Sequence, residues 1–244
     1  MAQRVPTGIK GLDEMLADGL LAGSIALVRG APGTGKTSLG LQFLIHGATR
    51  LGEIGLFISF EEFPISIYRD AEALGWDLGA LEQANRLHLM FTSPEVFLSN
   101  LKSPDSQLNR LLLQADVRRV VLDSISHFDR LTGDEIELRR IYTSVVNGLR
   151  RERVTTILLG EEGPAMCRRA FRGGLSFLVD TIILLRYVEI ESAMQRAIAV
   201  LKMRGSSHAK EIRRYEIHTG GIEVMEVFEG REGILSGSPH RSMP

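Results

Sequence analysis

Gly30-Ala-Pro-Gly-Thr-Gly-Lys-Thr37 is the stretch that decides the fold. It matches G-x-x-x-x-G-K-[ST], a loop that turns successive backbone N–H groups toward phosphate oxygens. Gly30, Gly33 and Gly35 permit the tight turn, because a residue without Cβ reaches backbone conformations closed to the others. In this pattern Lys36 reaches the β- and γ-phosphates, and the Thr37 hydroxyl serves Mg²⁺. The flanks agree with the loop. Residues 24–29, Ser-Ile-Ala-Leu-Val-Arg, form a short apolar run suited to a buried strand. Residues 37–48 read as a helix with Leu41, Leu44 and Ile45 on one face. Strand, loop and helix in that order place a helix N-terminus under bound phosphate. Gly33, Thr34, Gly35, Lys36, Thr37 and Ser38 are the expected nucleotide contacts, with ATP and Mg²⁺ as the expected ligands.

Outward from the loop, apolar runs alternate with helical patterns. Residues 54–60, 87–91, 119–123 and 154–159 read as strands. Residues 64–74, 105–115 and 134–151 read as helices, the second opened by Ser103-Pro104. This rhythm predicts an α/β fold with a mostly parallel central sheet covered on both faces. The last third changes style. Residues 180–188, 196–203, 211–218 and 222–225 are strand-like with little helix between them, and Gly220-Gly221 marks a turn. A meander of antiparallel strands is therefore expected to extend the parallel sheet. One domain over 1–239 and a short flexible tail over 240–244 is the expected organisation.

Bulk composition narrows the function classes. The chain has 244 residues, 44% of them hydrophobic and 24% charged, with a formal net charge of −1. That balance gives no footprint for a general nucleic-acid or membrane binder. No apolar run approaches the length needed to cross a bilayer, and the N-terminus has no hydrophobic signal region. One cysteine, Cys167, excludes an internal disulfide and fits a reducing cytoplasm. Its neighbours Arg168 and Arg169 are not enough to assign it a role.

A phosphate-binding loop needs a metal holder and a group to activate water. Asp123 closes the run Val120-Val-Leu122, which puts its carboxylate at the C-terminal edge of the sheet beside the loop, as a Mg²⁺ ligand. Many NTPases carry the water-activating acid directly after this Asp, but here that place holds Ser124. Glu61 and Glu62, which close the second strand, take the role instead: Glu61 as base, Glu62 assisting. Glu62 joins Thr37 and Asp123 as a third candidate at the metal, and Lys36 completes the catalytic set. In Lys202-Met-Arg204, strand alternation places Lys202 and Arg204 on one face, a clamp suited to phosphate charge. The loop-like stretch 161–177 carries Arg168, Arg169 and Arg172 and the pair Gly173-Gly174. No aromatic stacking pattern accompanies those charges, which favours inter-subunit or solvated arginines over a nucleic-acid contact.

Taken together, the motifs resemble the RecA-like ATPases of the KaiC type over residues 5–239. The matching segments are Pro6-Thr-Gly-Ile-Lys-Gly-Leu-Asp13, the phosphate loop, Ser59-Phe-Glu-Glu62 and Val121-Leu-Asp-Ser124. Asp180-Thr-Ile-Ile-Leu-Leu-Arg-Tyr-Val-Glu189, Lys202-Met-Arg-Gly-Ser206 and Ser236-Gly-Ser-Pro239 complete the set; the last looks like the end of the kinase-type half of the family's clock member. The resemblance implies a ring-shaped homo-oligomer, a hexamer, with ATP between subunits. It makes Lys36, Thr37, Asp123, Glu61 and Glu62 cis elements. Lys202, Met203, Arg204, Ser206 and His208 would contact the neighbour's nucleotide.

The departures from the family pattern also matter. The clock member has two such domains and a long C-terminal tail that receives a regulator; over residues 1–244 one such domain and almost none of the tail are expected. Where the kinase half carries a Ser-Thr acceptor pair, this chain reads Ser176-Phe177, so autophosphorylation, if it occurs, is expected on Ser176. A circadian role does not follow. The reading is a slow, ring-forming ATPase with possible serine autokinase activity and an unidentified regulatory protein partner. A DNA-stimulated RecA- or RadA-like ATPase and a nucleotide-gated signalling scaffold are the alternatives.

Overall fold

Side-chain alternation in the central strands feeds two separate cores. The computed structural model describes residues 3–103, 105–162 and 174–228, with two short strands at 231–232 and 240–241. In β3 (Ile25–Gly30), Ala26 and Val28 enter one core while Ile25 and Leu27 enter the other. The same split recurs in β4 (Ile54–Ser59), where Phe57 faces one way and Leu56 and Ile58 the other. It recurs again in β6 (Val117–Asp123), with Val121 opposed to Val120 and Leu122. A strand apolar on both sides belongs in the middle of a three-layer α/β architecture. Each fully buried aliphatic side chain there contributes about 1.5–3 kcal/mol.

The first core is roofed by α1 (Leu12–Met15), α2 (Lys36–His46), α3 (Pro64–Ala73) and α4 (Leu78–Gln83). The second is closed by α5 (Pro94–Lys102), α6 (Gln107–Gln114) and α7 (Glu135–Arg151). Local chemistry starts the peripheral helices. Asp77 caps α4 by accepting from Ala80 N, and Ser93 caps α5 by accepting from Val96 N, with Pro94 in its first turn. The helix expected over 105–115 begins later, because Ser106 rather than Ser103 supplies the cap, to Asn109 N at 3.1 Å.

With β5 (Leu87–Phe91), β7 (Thr155–Glu161), β8 (Thr181–Ile190), β9 (Ala193–Met203), β10 (Arg213–His218) and β11 (Gly221–Val227), the nine-stranded sheet has the order β11-β10-β9-β8-β3-β7-β6-β4-β5. From β8 to β5 all neighbours are parallel; β9, β10 and β11 add antiparallel strands at one side. This is the α/β fold with a mostly parallel sheet and an antiparallel extension that the sequence pattern predicts. His240–Arg241, expected in a frayed tail, instead pairs antiparallel with Arg231–Glu232. No helix among the described residues is long and apolar enough to cross a membrane.

Two polar anchors, one of them fully buried, fix the N-terminal segment. Asp13 accepts from Thr7 N, Thr7 Oγ1 and Gly8 N at 2.7, 2.7 and 3.0 Å, so the 6–13 motif is held together by its own acid. Arg119, fully buried in β6, pairs with Glu53 and donates to the Pro6 and Phe43 carbonyls at 2.8 and 2.9 Å. The helix expected to run to 48 ends at His46 and widens into a π turn, Gly47–Leu51. A Cβ on Gly47 would lie 2.4 Å from Arg119 Nε, so this glycine makes room for the buried guanidinium.

Candidate active site

Parallel register gathers the acidic strand ends on one edge. Gly30 pairs with Glu161, Asp123 with Leu159 and Ser59 with Asp123, so β3, β4, β6 and β7 all stop together. A backbone bond of 2.9 Å from Phe60 N to Asp123 O draws the Glu61-Glu62 turn toward Asp123. Ser59 Oγ accepts from Glu62 N at 3.0 Å and fixes that turn. The result is a cleft of about 210 Å³ lined by Gly33, Lys36, Thr37, Glu61, Glu62 and Asp123, together with Ser124, His127 and Glu161.

The floor of the cleft is the start of α2. Gly35 occupies the N-cap position with φ 86° and offers no side-chain cap, leaving the first-turn N–H groups of Lys36, Thr37 and Ser38 directed at the cleft. Thr34 is buried with its hydroxyl on the Ala31 carbonyl at 2.7 Å, so its side chain serves the loop itself. Two tyrosines from the antiparallel side brace the loop from behind. Tyr215 donates to the Thr34 carbonyl at 2.5 Å and Tyr187 to the Gly33 carbonyl at 2.6 Å. A Cβ on Gly30 would fall 2.5 Å from Thr34 Oγ1 and 2.8 Å from the Leu185 carbonyl, so that close approach requires glycine.

Charge in the cleft is unbalanced toward acid. The Thr37 hydroxyl donates to Asp123 Oδ2 at 2.7 Å. Burial nevertheless pushes the Asp123 carboxyl above the ordinary carboxylate range, with the Thr37 bond, Lys36 and His127 pulling it back and Glu161 adding to the rise. Glu62 is also raised, first by burial and then by Asp123. Lys36 is lowered by burial against the pull of Asp123 and Glu161. Its Nζ donates to the Gly30 and Ala31 carbonyls at 2.9 and 3.1 Å, within its own loop.

These residues fit a nucleotide with a divalent cation. A hydroxyl and a carboxylate in contact at the foot of an uncapped helix are the protein's half of a Mg²⁺ site, with phosphate oxygens and water as the other half. No cluster of three or more His, Cys, Asp or Glu that could hold a metal alone occurs among the described residues. Thr37 and Asp123 would hold the ion, and Glu62 lines the same cleft.

The second group of expected contacts lies at the opposite edge. β8 runs parallel to β3, with Thr181 beside Ala26 and Leu185 beside Gly30, and Thr181 faces Met203 on β9. Met203 is thus four residues, roughly 13 Å, down the strands from the phosphate loop. Lys202 donates to the Ser176 and Val179 carbonyls at 2.8 and 2.7 Å, and Arg204 to the Phe177 carbonyl at 2.6 Å. Both cations are used here on backbone carbonyls at the short helix Leu175–Leu178, which carries Ser176. Met203 points the other way and is buried in the first core. Ser206 accepts from Arg4 at 2.5 Å, and His208 Nδ1 lies 2.8 Å from the Ala209 carbonyl. Cys167, the arginines of the 161–177 stretch and the 236–239 segment lie outside the described residues.

Sequence reasoning passed over His127, Glu161, Tyr187 and Tyr215. Glu161 closes its strand as Asp123 does, so the same signal could have found it. His127 and the tyrosines carry no local pattern; only the packed chain brings them to the loop.

Comparison with known proteins gives a consistent result. A family model described as "ATPase: KaiC" matches residues 5–229. The circadian clock oscillator protein KaiC of Parathermosynechococcus lividus is 36% identical over 239 residues, covering 98% of this chain and 43% of the relative. KaiC of Thermosynechococcus vestitus is also 36% identical, with 98% and 45% covered. The chain thus spans less than half the length of these curated relatives. The crystal structure of a KaiC-like protein from the archaeon Pyrococcus horikoshii OT3 superposes with a TM-score of 0.82 at 28% identity, over 93% of this chain and 100% of that one. With a RecA-like sheet, a phosphate loop and these relatives, the chain belongs to the KaiC ATPase family.

Proposed function

We propose that this chain is a Mg²⁺-dependent ATP hydrolase that works as a ring, with each nucleotide held between two copies. The single observation that carries the hydrolytic reading is the Thr37–Asp123 contact of 2.7 Å beneath the uncapped start of α2, with Glu61 and Glu62 on the same cleft. Bound Mg²⁺ would offset charge on the phosphate oxygens. Lys36 and the α2 N–H groups bind and orient those oxygens. Glu61 orients a water and takes its proton, while Glu62 assists and lines the metal side. One nine-stranded sheet supports a single domain over 1–239 as the working unit.

The ring reading is supported by the separation of the two charged edges. Lys202 and Arg204 cannot reach their own phosphate loop across the sheet, but can serve a neighbour's. Lys202 uses two of its donors and Arg204 one of five on local carbonyls, which leaves donors for a phosphate. Ser206 and His208 sit on the same edge and would approach the neighbour's nucleotide, while Met203 would contribute backbone only. The assay is ATP turnover with Mg²⁺: wild type hydrolyses ATP, and Glu61→Gln loses roughly 10²–10⁴ in rate. A folded Glu61→Gln chain with unchanged turnover would remove Glu61 from the base role.

One observation favours a second activity. The Ser176 carbonyl accepts from Lys202, so its hydroxyl travels with the cations proposed to meet a neighbour's ATP. Attack by Ser176 Oγ on the γ-phosphorus would break the bond to the β,γ-bridging oxygen and leave ADP, with the hydroxyl proton passing to the neighbour's Glu61. Mass spectrometry after incubation with ATP and Mg²⁺ tests this: phosphate on Ser176, absent in Ser176→Ala, is expected, and phosphate confined to another residue refutes the site.

A further inference from the structure

His127 lies on the 3-10 turn Ile125–Arg130 that follows β6, and its Nε2 sits 3.1 Å from Glu61 Oε2. The two partners differ sharply in freedom. The His127 side chain is 11% exposed and Glu61 is 64% exposed. Phe60 packs edge-on against the imidazole with centroids 6.2 Å apart, and His127 N bonds the Ser124 carbonyl at 3.2 Å. The ring is therefore fixed and the carboxylate is the group that would otherwise wander. A second cavity of about 270 Å³ adjoins the nucleotide cleft, and Ser124, His127 and Glu161 line both. His127 thus stands on the partition between the two spaces.

With its proton on Nε2, the ring donates to one Glu61 oxygen and leaves the other free to accept. An exposed glutamate loses side-chain entropy when it is held in one rotamer. A preformed bridge meets part of that cost before substrate arrives, as orientation effects in catalysis require. We propose that His127 is a positioning residue: it holds Glu61 in the rotamer that orients the attacking water. This rests on the hydrolytic reading above, and extends it by coupling the strand that carries the base to the strand that carries the metal acid.

The test compares kcat and KM for ATP in wild type, His127→Ala, His127→Gln, Glu61→Gln and the double variant His127→Ala with Glu61→Gln. His127→Ala should lower kcat roughly 10–10²-fold, as misplacement of a reacting group does. KM should stay within about twofold, because no ground-state contact is lost. His127→Gln, whose amide N–H can reach the same oxygen, should recover most of the rate, and the double variant should be no slower than Glu61→Gln alone. Nitrogen NMR on labelled histidine provides a readout independent of turnover: the His127 Nε2 signal should shift in Glu61→Gln. The proposal is overturned if His127→Ala leaves kcat unchanged, if it costs the same factor in the Glu61→Gln background, or if the Nε2 signal ignores Glu61→Gln. ATP binding with no wild-type turnover defeats the hydrolytic reading itself, whereas turnover that ignores His127→Ala defeats only the positioning role.

Discussion

The two edges of the sheet carry opposite charge and opposite states of satisfaction. Where β3, β4, β6 and β7 end, Glu61, Glu62, Asp123 and Glu161 surround a single lysine, and burial raises two of those acids. Where β8 begins and β9 ends, Lys202, Arg204 and Arg150 are spread over backbone carbonyls and Asp180. The acidic edge carries more carboxylate than its one lysine balances. The basic edge is folded and neutral in its hydrogen bonding, yet keeps donors in reserve. A net charge of −1 conceals this polarity, since the edges cancel. Placed head to tail, two copies would bring the acid of one to the base of the other.

The largest effect that can break this comparison is complementation. On the proposed mechanism Glu61→Gln should disable the acidic edge, and Arg204→Ala should lower turnover by about 10-fold to 10³-fold; arginine fingers elsewhere are worth roughly 10³–10⁵. If each nucleotide uses one edge from each of two copies, mixing the two dead chains restores a fraction of the activity, because some interfaces pair an intact Glu61 with an intact Arg204. Turnover of the mixture, read beside native mass of the assemblies, decides the matter. Mixed assemblies that form but stay dead would place Arg204 outside the site.

Next in size is Lys36→Ala. Charged hydrogen bonds contribute about 1.5–3 kcal/mol, so losing the ammonium should weaken ATP binding by roughly 10–10²-fold. The fold should survive, because Lys36 bonds only two carbonyls of its own loop. A calorimetric titration with ATP and Mg²⁺ measures it, and unchanged affinity in a folded chain would detach the acidic edge from nucleotide altogether.

Tyr215→Phe sharpens the comparison from the other side, because Tyr215 belongs to the antiparallel strands yet serves the chain's own phosphate loop. Removing its hydroxyl leaves the Thr34 carbonyl buried without a donor, at a cost of about 1–3 kcal/mol. Chemical denaturation should show that loss, with a rise in KM for ATP larger than any fall in kcat. An unchanged KM would mean that the Tyr215 hydroxyl does not brace the loop for nucleotide.

How much of this was legible in the sequence follows from how local each signal is. The phosphate loop, Asp123 and the Glu61-Glu62 pair are strand-end residues beside apolar runs, and pattern alone places them on one edge. The antiparallel extension was legible because residues 180–225 lack helical periodicity and carry Gly220-Gly221. The interior details were not. Arg119 looks like an ordinary strand-start arginine, and its burial depends on Glu53, Pro6, Phe43 and the missing side chain of Gly47, all distant in sequence. His127 is four residues past Asp123, but its partner Glu61 lies in the turn after another strand. Tyr187 and Tyr215 find the loop only through the sheet order. Helices α4 and α5 did carry their cap residues, Asp77 and Ser93-Pro94, but at six and nine residues they leave little room for an apolar period to show.

The smallest predicted effect has the opposite sign and probes the excess of acid at that edge. Burial raises the Asp123 pKa in the folded chain above its unfolded value of about 3.9. The folded state therefore holds this proton more tightly than the unfolded state. As pH rises from below the unfolded value through the raised folded value, stability is lost. Asp123→Asn keeps an oxygen for the Thr37 hydroxyl and removes the buried charge. Without metal and nucleotide it should be more stable than wild type by about 1 kcal/mol, a gain of the size that relieving functional strain commonly gives. For a chain of this length that corresponds to roughly 2–4 °C in Tm. Adding Mg²⁺ and ATP should reverse the order, because only wild type can use the carboxylate to bind the cation and gain stability by mass action. Thermal melts at pH 7 with and without Mg²⁺-ATP provide all four values. An Asn variant that is less stable without ligand would mean that Asp123 is a structural acid held by Thr37 and Lys36, and that the acidic edge is balanced before any cation binds.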